Sequence, residues 1–383
     1  MNNSQFIIGI DATNLSHGGG KTYLIELLRF ADPKRHQFSK IIVWSTQDIL
    51  NSIDDKDWII KRCPFNYSTN LIYRVIWQFL FLSKEARNEG CDMLFAPGGI
   101  SVGSFHPLVT MSQNLLPFES REYMRYGLTI KRLKLLLLKY VQGYSFKNSN
   151  GVIFLTEHAK DTIQKVIGNL KNKTKVIPHG LNKRFIFEKN KNYEKKEYKK
   201  KIIKILYVSH IEHYKHQWNV IEALAELRNE KYPITLDLVG SPGTAMKKLQ
   251  FAINKYDINR EWIFFRNNIQ YNEMHLIYQK FDYGIFASSC ENLPITLLEM
   301  MGSGMQIACS NFSPMPEILG SEGIYFNPVK PASITEAMRK LIVLKKIDNK
   351  SSDYIKRVAE NYKWENTAYL TFDFLNKLSK NLK

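Results

Sequence analysis

Short runs of β-branched and aromatic residues alternate with longer stretches of helical period along the chain. Residues 7–11, 41–44, 58–61, 93–96, 108–111 and 152–155 are nearly continuous in apolar character, as expected of strands buried on both faces of a parallel sheet. Between such runs apolar residues recur at three- and four-residue spacing, as in Tyr23, Leu24, Leu27 and Leu28, which predicts covering helices. The alternation breaks at a polar stretch. From Lys183 to Lys204 there are ten basic and three acidic residues, the composition of a solvated linker. It then restarts with 202–208, 236–239, 262–265, 283–287, 306–309 and 324–326. The expected class is α/β, with two Rossmann-like, doubly wound parallel-sheet domains. Residues 1–182 form the first, 183–201 the basic linker, and 202–383 the second, whose last helix is expected to cross back to the first.

Length and charge narrow the reading. A chain of 383 residues is long for one core and suits two domains. The 44% hydrophobic and 23% charged content is that of a folded globular protein. An excess of 54 Lys and Arg over 36 Asp and Glu, net +18, favours an anionic partner such as nucleic acid, an anionic membrane surface or a phosphorylated ligand. Met1-Asn2-Asn3-Ser4-Gln5 leads straight into a strand-like run, unlike a signal peptide. The longest apolar stretches, 71–82 and 133–141, are too short and carry charged residues, so a spanning helix is not expected. Cys63, Cys91, Cys290 and Cys309 show no paired spacing, which speaks against a disulfide framework or a cysteine zinc site and fits a reducing cytoplasm.

His17-Gly18-Gly19-Gly20-Lys21-Thr22 looks like a phosphate-binding P-loop, but that pattern needs a glycine five residues before Gly20, where Leu15 stands. The run also lacks the third glycine of G-x-G-x-x-G, so a Rossmann oxidoreductase is disfavoured. A ligand-contacting loop and a plain turn between strand and helix both remain open. The most informative stretch is 281–320. There the run 283–287 ends in a small-residue turn carrying Glu291, and a helix starting near Pro294 carries Glu299 eight positions on. Unpaired N–H groups and the positive dipole end at a helix N-terminus favour an anion, while two carboxylates suit hydroxyls. That combination fits a nucleotide sugar.

Glu291 and Glu299, followed by Gly302-Ser303-Gly304 and Pro316-Glu317-Ile318-Leu319, closely resemble the signature of the family 4 (group 1) retaining glycosyltransferases, which include enzymes of bacterial surface-polysaccharide synthesis. The resemblance covers most of the chain. "IPHGLNKRF" resembles the family's I-P-N-G segment, "LYVSHIEHYKH" its first C-terminal strand and loop, and "GIYFNP" its closing strand. It implies the GT-B fold, with the active site in a cleft between the two domains. By the same resemblance Glu299 takes the donor ribose hydroxyls and Glu291 lies beside the transferred sugar. Asn292, Leu293, Pro294, Ile295 and Thr296 offer backbone contacts to sugar and diphosphate. Gly18 and Gly19 approach the donor phosphates, and Lys215 neutralises the diphosphate, for which a point charge is suited. Glu291 and Lys215 are thus the expected catalytic residues.

Three positions depart from the pattern. Ser209-His210 replaces the family's usual glycine-arginine, and His216 stands where glycine is usual. His210 donates a hydrogen bond to the donor phosphate only when protonated, so it is a poorer cation there than the permanently charged arginine. Gln113 or Asn114 occupies the place of a histidine near the reacting carbon and is the expected sugar or acceptor site, with a polar strand-end turn as the alternative. Two metal motifs are discounted. His210, His213 and His216 are spaced by three, but the resemblance puts them in a loop. Asp55-Lys56-Asp57 precedes its strand and so lies at the amino edge of the sheet.

The segments 71–87 and 126–147 are apolar, aromatic and basic at helical spacing, which fits both core helices and helices lying on an anionic interface. The expected activity is retaining transfer of a sugar from a nucleoside diphosphate donor to a glycan or polyprenyl-linked acceptor in cell-surface polysaccharide (O-antigen or capsule) synthesis. Cofactor and metal are not expected, and neither is nucleic acid as a partner. The expected location is cytoplasmic, peripheral on the inner face of the plasma membrane. The alternative drawn from charge alone is a non-catalytic, basic polyanion-binding protein.

Overall fold

The computed structural model describes residues 6–15, 18–64, 71–171, 173–187, 202–267, 269–344 and 350–381. Most of the basic linker, 188–201, lies outside them, as does His17 of the glycine segment. The chain divides into two compact units. The first comprises Met1–Glu119, Leu128–Gly180 and Lys363–Lys383, and the second Ser120–Gly127 and Leu181–Tyr362.

The first unit holds a seven-stranded sheet of β1 (Phe6–Asp11), β2 (Phe38–Trp44), β3 (Ile59–Arg62), β4 (Met93–Ala96), β5 (Leu108–Met111), β6 (Gly151–Phe154) and β7 (Lys173–Val176). Its order is β3-β2-β1-β4-β5-β6-β7, and every pairing is parallel. Ile8, Ile10, Val43, Phe95, Val109 and Ile153 are fully buried, because helices cover both faces. The helix Trp364–Asn381 packs here. Trp364 lies on Tyr23 and His179, and Phe372 on Phe38 and His36.

The second unit holds a six-stranded parallel sheet of β8 (Ile203–Val208), β9 (Ile234–Val239), β10 (Ile263–Arg266), β11 (Tyr283–Phe286), β12 (Gln306–Ser310) and β13 (Ile324–Phe326), in the order β10-β9-β8-β11-β12-β13. The short segment Ser120–Gly127 belongs to this unit. Tyr126 anchors it, donating its hydroxyl to Glu212 Oε2 at 3.0 Å and meeting the His213 ring edge-on at 5.1 Å.

Every strand except β7 falls on a run that the hydrophobic pattern marks. β7 reads Lys-Thr-Lys-Val and lies at the sheet edge with Lys173 exposed. An edge strand tolerates lysine because half of its surroundings is water, and lysine there discourages pairing with other chains. Among the described residues no helix is long and apolar enough to cross a membrane.

Candidate functional site

In each sheet the order turns back beside the first strand, where β1 sits between β2 and β4, and β8 between β9 and β11. Such switch points open a crevice beyond the carboxyl ends of the strands. In the second unit the loops leaving β8 and β11 carry most of the residues singled out above.

The loop after β8 closes in a single turn, His213–Lys215, before the helix Gln217–Asn229. It is fixed from inside. Tyr207 Oη donates to the Lys215 carbonyl at 2.6 Å, and Gln217 Nε2 donates to Ser209 Oγ at 2.8 Å and to the His210 carbonyl at 2.9 Å. Gly240, after β9, passes so close that a Cβ would lie 2.1 Å from the Ser209 carbonyl. Lys215 is 7% exposed. Its ammonium donates to the Glu291 carboxylate and lies 5.2 Å from the ring centroids of both Tyr214 and Phe286.

The loop after β11 is tied to the same turn. Ser289 N–H donates to the Tyr214 carbonyl at 2.8 Å, and His216 Nε2 lies 2.9 Å from Ser289 Oγ. Burial, then the positive neighbours Arg125, Lys248 and His213, push the His216 imidazole down to about 3, so it is neutral at ordinary pH. Tyr214, Lys215 and His216 thus each bind the segment 289–291. Asn292, Leu293 and Pro294 are buried, while Ile295 and Thr296 are half-buried. They lead into the helix Ile295–Gly302, whose N-terminus no side chain caps. Uncapped N–H groups at that end are donors suited to an anion.

Glu299 lies on that helix, 2% exposed. Its Oε2 accepts from Tyr278 Oη at 2.7 Å, whereas Oε1 is buried with no hydrogen-bond partner. Burial raises its carboxyl from the usual 4.5 to about 7, an effect partly offset by Tyr278, Tyr271 and Arg184. Arg184 stacks over Tyr271 at 4.2 Å and donates to its carbonyl at 3.1 Å. These three partners went unnoticed in the sequence, as did the His216–Ser289 bond. The residues lie far from the motif and repeat at no spacing, so only the fold brings them together.

His210 is exposed, with Nδ1 bonded to Ser241 Oγ. His213 meets Tyr126 and Trp218 edge-to-face, and His216 packs on Trp218 and bonds Ser289. Among the described residues no group of three or more His, Cys, Asp and Glu is placed to hold a metal. Asp55 pairs with Lys61 at 2.6 Å, and Lys56 donates to the carbonyls of Leu28 and Arg29.

In the first unit Gly18 and Gly19 are exposed at the start of the helix Gly19–Arg29, with Gly18 at φ 67°, a conformation that favours glycine. A Cβ on Gly20 would lie 2.8 Å from Gln113 Oε1, so Gln113 packs on the glycine loop. Asn114 Oδ1 accepts from Leu116 N–H at 3.1 Å, a turn contact. Buried Asp11 accepts from Thr13 Oγ1 at 2.6 Å and from Gln78 Nε2 at 2.5 Å, and Arg74 donates to the Thr13 carbonyl at 2.9 Å.

Residues 187–360 match the family described as "Glycosyl transferases group 1". Over 159 residues the chain is 25% identical to a serotype-specific mannosyltransferase, WbdA, of Escherichia coli, covering 42% of this chain and 19% of that protein. The chain thus spans under a fifth of that relative's length. Among solved structures it is similar to Anabaena Alr3699/HepE in complex with UDP-glucose, with TM-score 0.69, 14% identity, and 98% and 99% of the two chains covered. It is also similar to WaaG, a glycosyltransferase involved in lipopolysaccharide biosynthesis, with TM-score 0.71, 14% identity, and 96% and 99% covered. At such identities the likeness shows the fold, which is GT-B.

Proposed function

Because residues 187–360 match the family described as "Glycosyl transferases group 1", we propose that the chain is a retaining, family 4 enzyme that moves a sugar from a nucleoside diphosphate donor to a glycan or lipid-linked acceptor. Its setting is cell-surface polysaccharide synthesis, and it works as a peripheral enzyme on the inner face of the plasma membrane. The observation that carries this reading is the cluster formed by Lys215, Glu291 and the uncapped helix Ile295–Gly302, with the open Glu299 Oε1 on the same helix. UDP-glucose in the complex of the similar Anabaena protein supports a nucleotide-sugar donor.

The residues divide the work by chemistry. Lys215 transfers its charge from Glu291 to the donor diphosphate and meets the charge that grows on the leaving group, aided by N–H groups at Ile295 and Thr296. Glu291, released from the lysine, accepts hydroxyls of the sugar. Glu299 Oε1 accepts from the ribose. Gly18 and Gly19 supply further backbone donors to the diphosphate, and Gln113 or Asn114 serves the sugar or acceptor. In this scheme the fixed cation and the backbone dipoles stabilise the leaving diphosphate, and no metal is required.

Calorimetric titration with UDP, GDP and their sugars tests the donor, and proton NMR of the product tests the stereochemistry in excess EDTA. The expected result is saturable binding of one nucleotide and a product of unchanged anomeric configuration. An inverted product removes the family 4 reading. Loss of activity in EDTA with rescue by manganese removes the metal-free scheme. Polyanion binding without nucleotide-sugar affinity returns the non-catalytic alternative.

A further inference from the structure

Where the first sheet turns back, the loop leaving β1 gathers polar groups that the donor reading leaves unused. Asp11 is saturated: its carboxylate accepts from Thr13 N–H at 3.1 Å, from Thr13 Oγ1 at 2.6 Å and from Gln78 Nε2 at 2.5 Å. Arg74, on the helix Leu71–Trp77, is half-buried over the same loop and donates from Nη1 to the Thr13 carbonyl at 2.9 Å. Asp11 feels its charge, yet among the described residues no carboxylate bonds the guanidinium.

Three buried atoms of this cluster have no hydrogen-bond partner: Arg74 Nε, Asn14 Nδ2 and Gln78 Oε1. Thr13 joins them, because its carbonyl takes Arg74, its hydroxyl takes Gln78 Nε2 at 3.0 Å, and Asn14 follows it in the chain. The Gln78 amide has one orientation open to it: its NH2 end must face the Asp11 carboxylate, which only accepts, so Oε1 is the open end. Asn14 lies against the loop after β4, where a Cβ on Gly98 would be 2.9 Å from Asn14 Cβ. It therefore stands at the switch point itself, between β1 and β4. Buried polar groups are nearly always paired, so two N–H donors and one oxygen left open around one loop mark a place for a ligand.

We propose that this loop holds an oxyanion of the acceptor substrate, a phosphate or a sugar carboxylate, between Arg74 and Asn14, with a hydroxyl of the same molecule donating to Gln78 Oε1. Charge selects that chemistry. Water or a neutral glycan would pair the three open atoms and leave the half-buried cation uncompensated, whereas an oxyanion answers both. The planar guanidinium offers paired N–H groups that match two oxygens of one phosphate or carboxylate. The inference rests on the transferase reading only in calling the ligand the acceptor substrate. It narrows that substrate from any glycan or lipid-linked sugar to one bearing an acidic group beside a hydroxyl, and it uses none of the residues of the Lys215 cluster.

The test is ligand-observed NMR titration of the full chain with glucose 6-phosphate, methyl glucuronoside and methyl glucoside, each in excess UDP and GDP so that the donor site is already filled. Binding of at least one anionic probe, and not of neutral methyl glucoside, is expected, and the probe that binds tells phosphate from carboxylate. Arg74→Gln should weaken that binding by roughly tenfold or more, the worth of a charge-assisted bond. Arg74→Lys, which keeps the charge without the planar fork, should lose less. Asn14→Asp, which sets a like charge against the ligand, should weaken binding as well. Unchanged thermal unfolding shows that the variants are folded. UDP and GDP titration is read separately: anionic probes that bind a chain with no nucleotide affinity would overturn the donor reading and leave the subsite standing. The subsite is overturned if neither anionic probe binds, if methyl glucoside binds as tightly, or if Arg74→Gln and Asn14→Asp both bind as the parent does.

Discussion

Glu299 combines burial with an open acceptor, and its titration follows from that. The unfolded chain ionises this group near 4.5 and the folded chain near 7. Between those values the folded state holds a proton that the unfolded state has lost, so stability falls as pH rises from 4.5 to 7 and then levels off, by about 3 kcal/mol at most. In Glu299→Gln this slope should vanish, leaving the variant on the order of 2–3 kcal/mol more stable than the parent at pH 8 and nearly equal near pH 4.5. Urea titrations across that range decide, and parallel pH profiles would refute the raised carboxyl. Ribose hydroxyls donating to Oε1 favour the ionised form, so donor binding below pH 7 should release protons, read by calorimetry in buffers of different ionisation enthalpy. Glu299→Ala should weaken donor binding by about ten- to a hundredfold, the worth of one or two charge-assisted hydrogen bonds. Lys215→Ala should lower kcat more than donor affinity, because the ammonium meets charge that appears only as the diphosphate leaves. A normal kcat with a raised KM would make it a ground-state ligand.

The helix Ile295–Gly302 is positioned from its far end. A Cβ on Gly302 would lie 2.6 Å from Leu181 Cδ2 and 3.0 Å from the Phe185 carbonyl, so the helix rests directly on the turn Lys183–Phe185. Gly302→Ala should cost about 1–2 kcal/mol net, overpacking outweighing alanine's better helix propensity. Because the strain shifts the element that carries Glu299, donor affinity should fall with stability. A variant as stable as the parent would mean that the turn yields freely. At its near end the helix follows the loop held by Tyr214 and His216. His216 occupies a left-handed conformation, φ 51°, where glycine is easier. The bond to Ser289 offsets the strain it carries there.

At the scale of the molecule, the helix Trp364–Asn381 is last in sequence yet completes the core of the first unit. Removing residues 363–383 strips buried Trp364, Phe372, Leu375 and Leu378 from that unit. At about 2–5 kcal/mol for each large apolar side chain, the loss matches or exceeds the roughly 5–15 kcal/mol stability of a domain. The truncated chain should lose the first unit and keep the second, seen as a protease-resistant fragment within 181–362. Cooperative loss of both units in one calorimetric transition at unchanged temperature would contradict this.

Every strand but β7, and the motif, can be read from local pattern alone. A strand buried on both faces must be apolar throughout, so β1, β4, β5, β8 and β11 are legible as runs, and Glu291 and Glu299 are legible because eight residues span one turn and one helix. Three things were decided only by tertiary structure. β7 stayed hidden because an edge strand with lysines carries no burial signal. Lys215 is singled out among 54 basic residues by the family resemblance, but its pairing with Glu291, 76 positions away, comes only from the fold. Ile130, Leu133, Leu137, Tyr140 and Tyr144 have the spacing of a core helix yet are exposed, and periodicity is the same whether a face meets protein or lies open. Local pattern records which residues share a face, while long-range packing decides what that face meets and how far a buried carboxyl such as Glu299 is shifted.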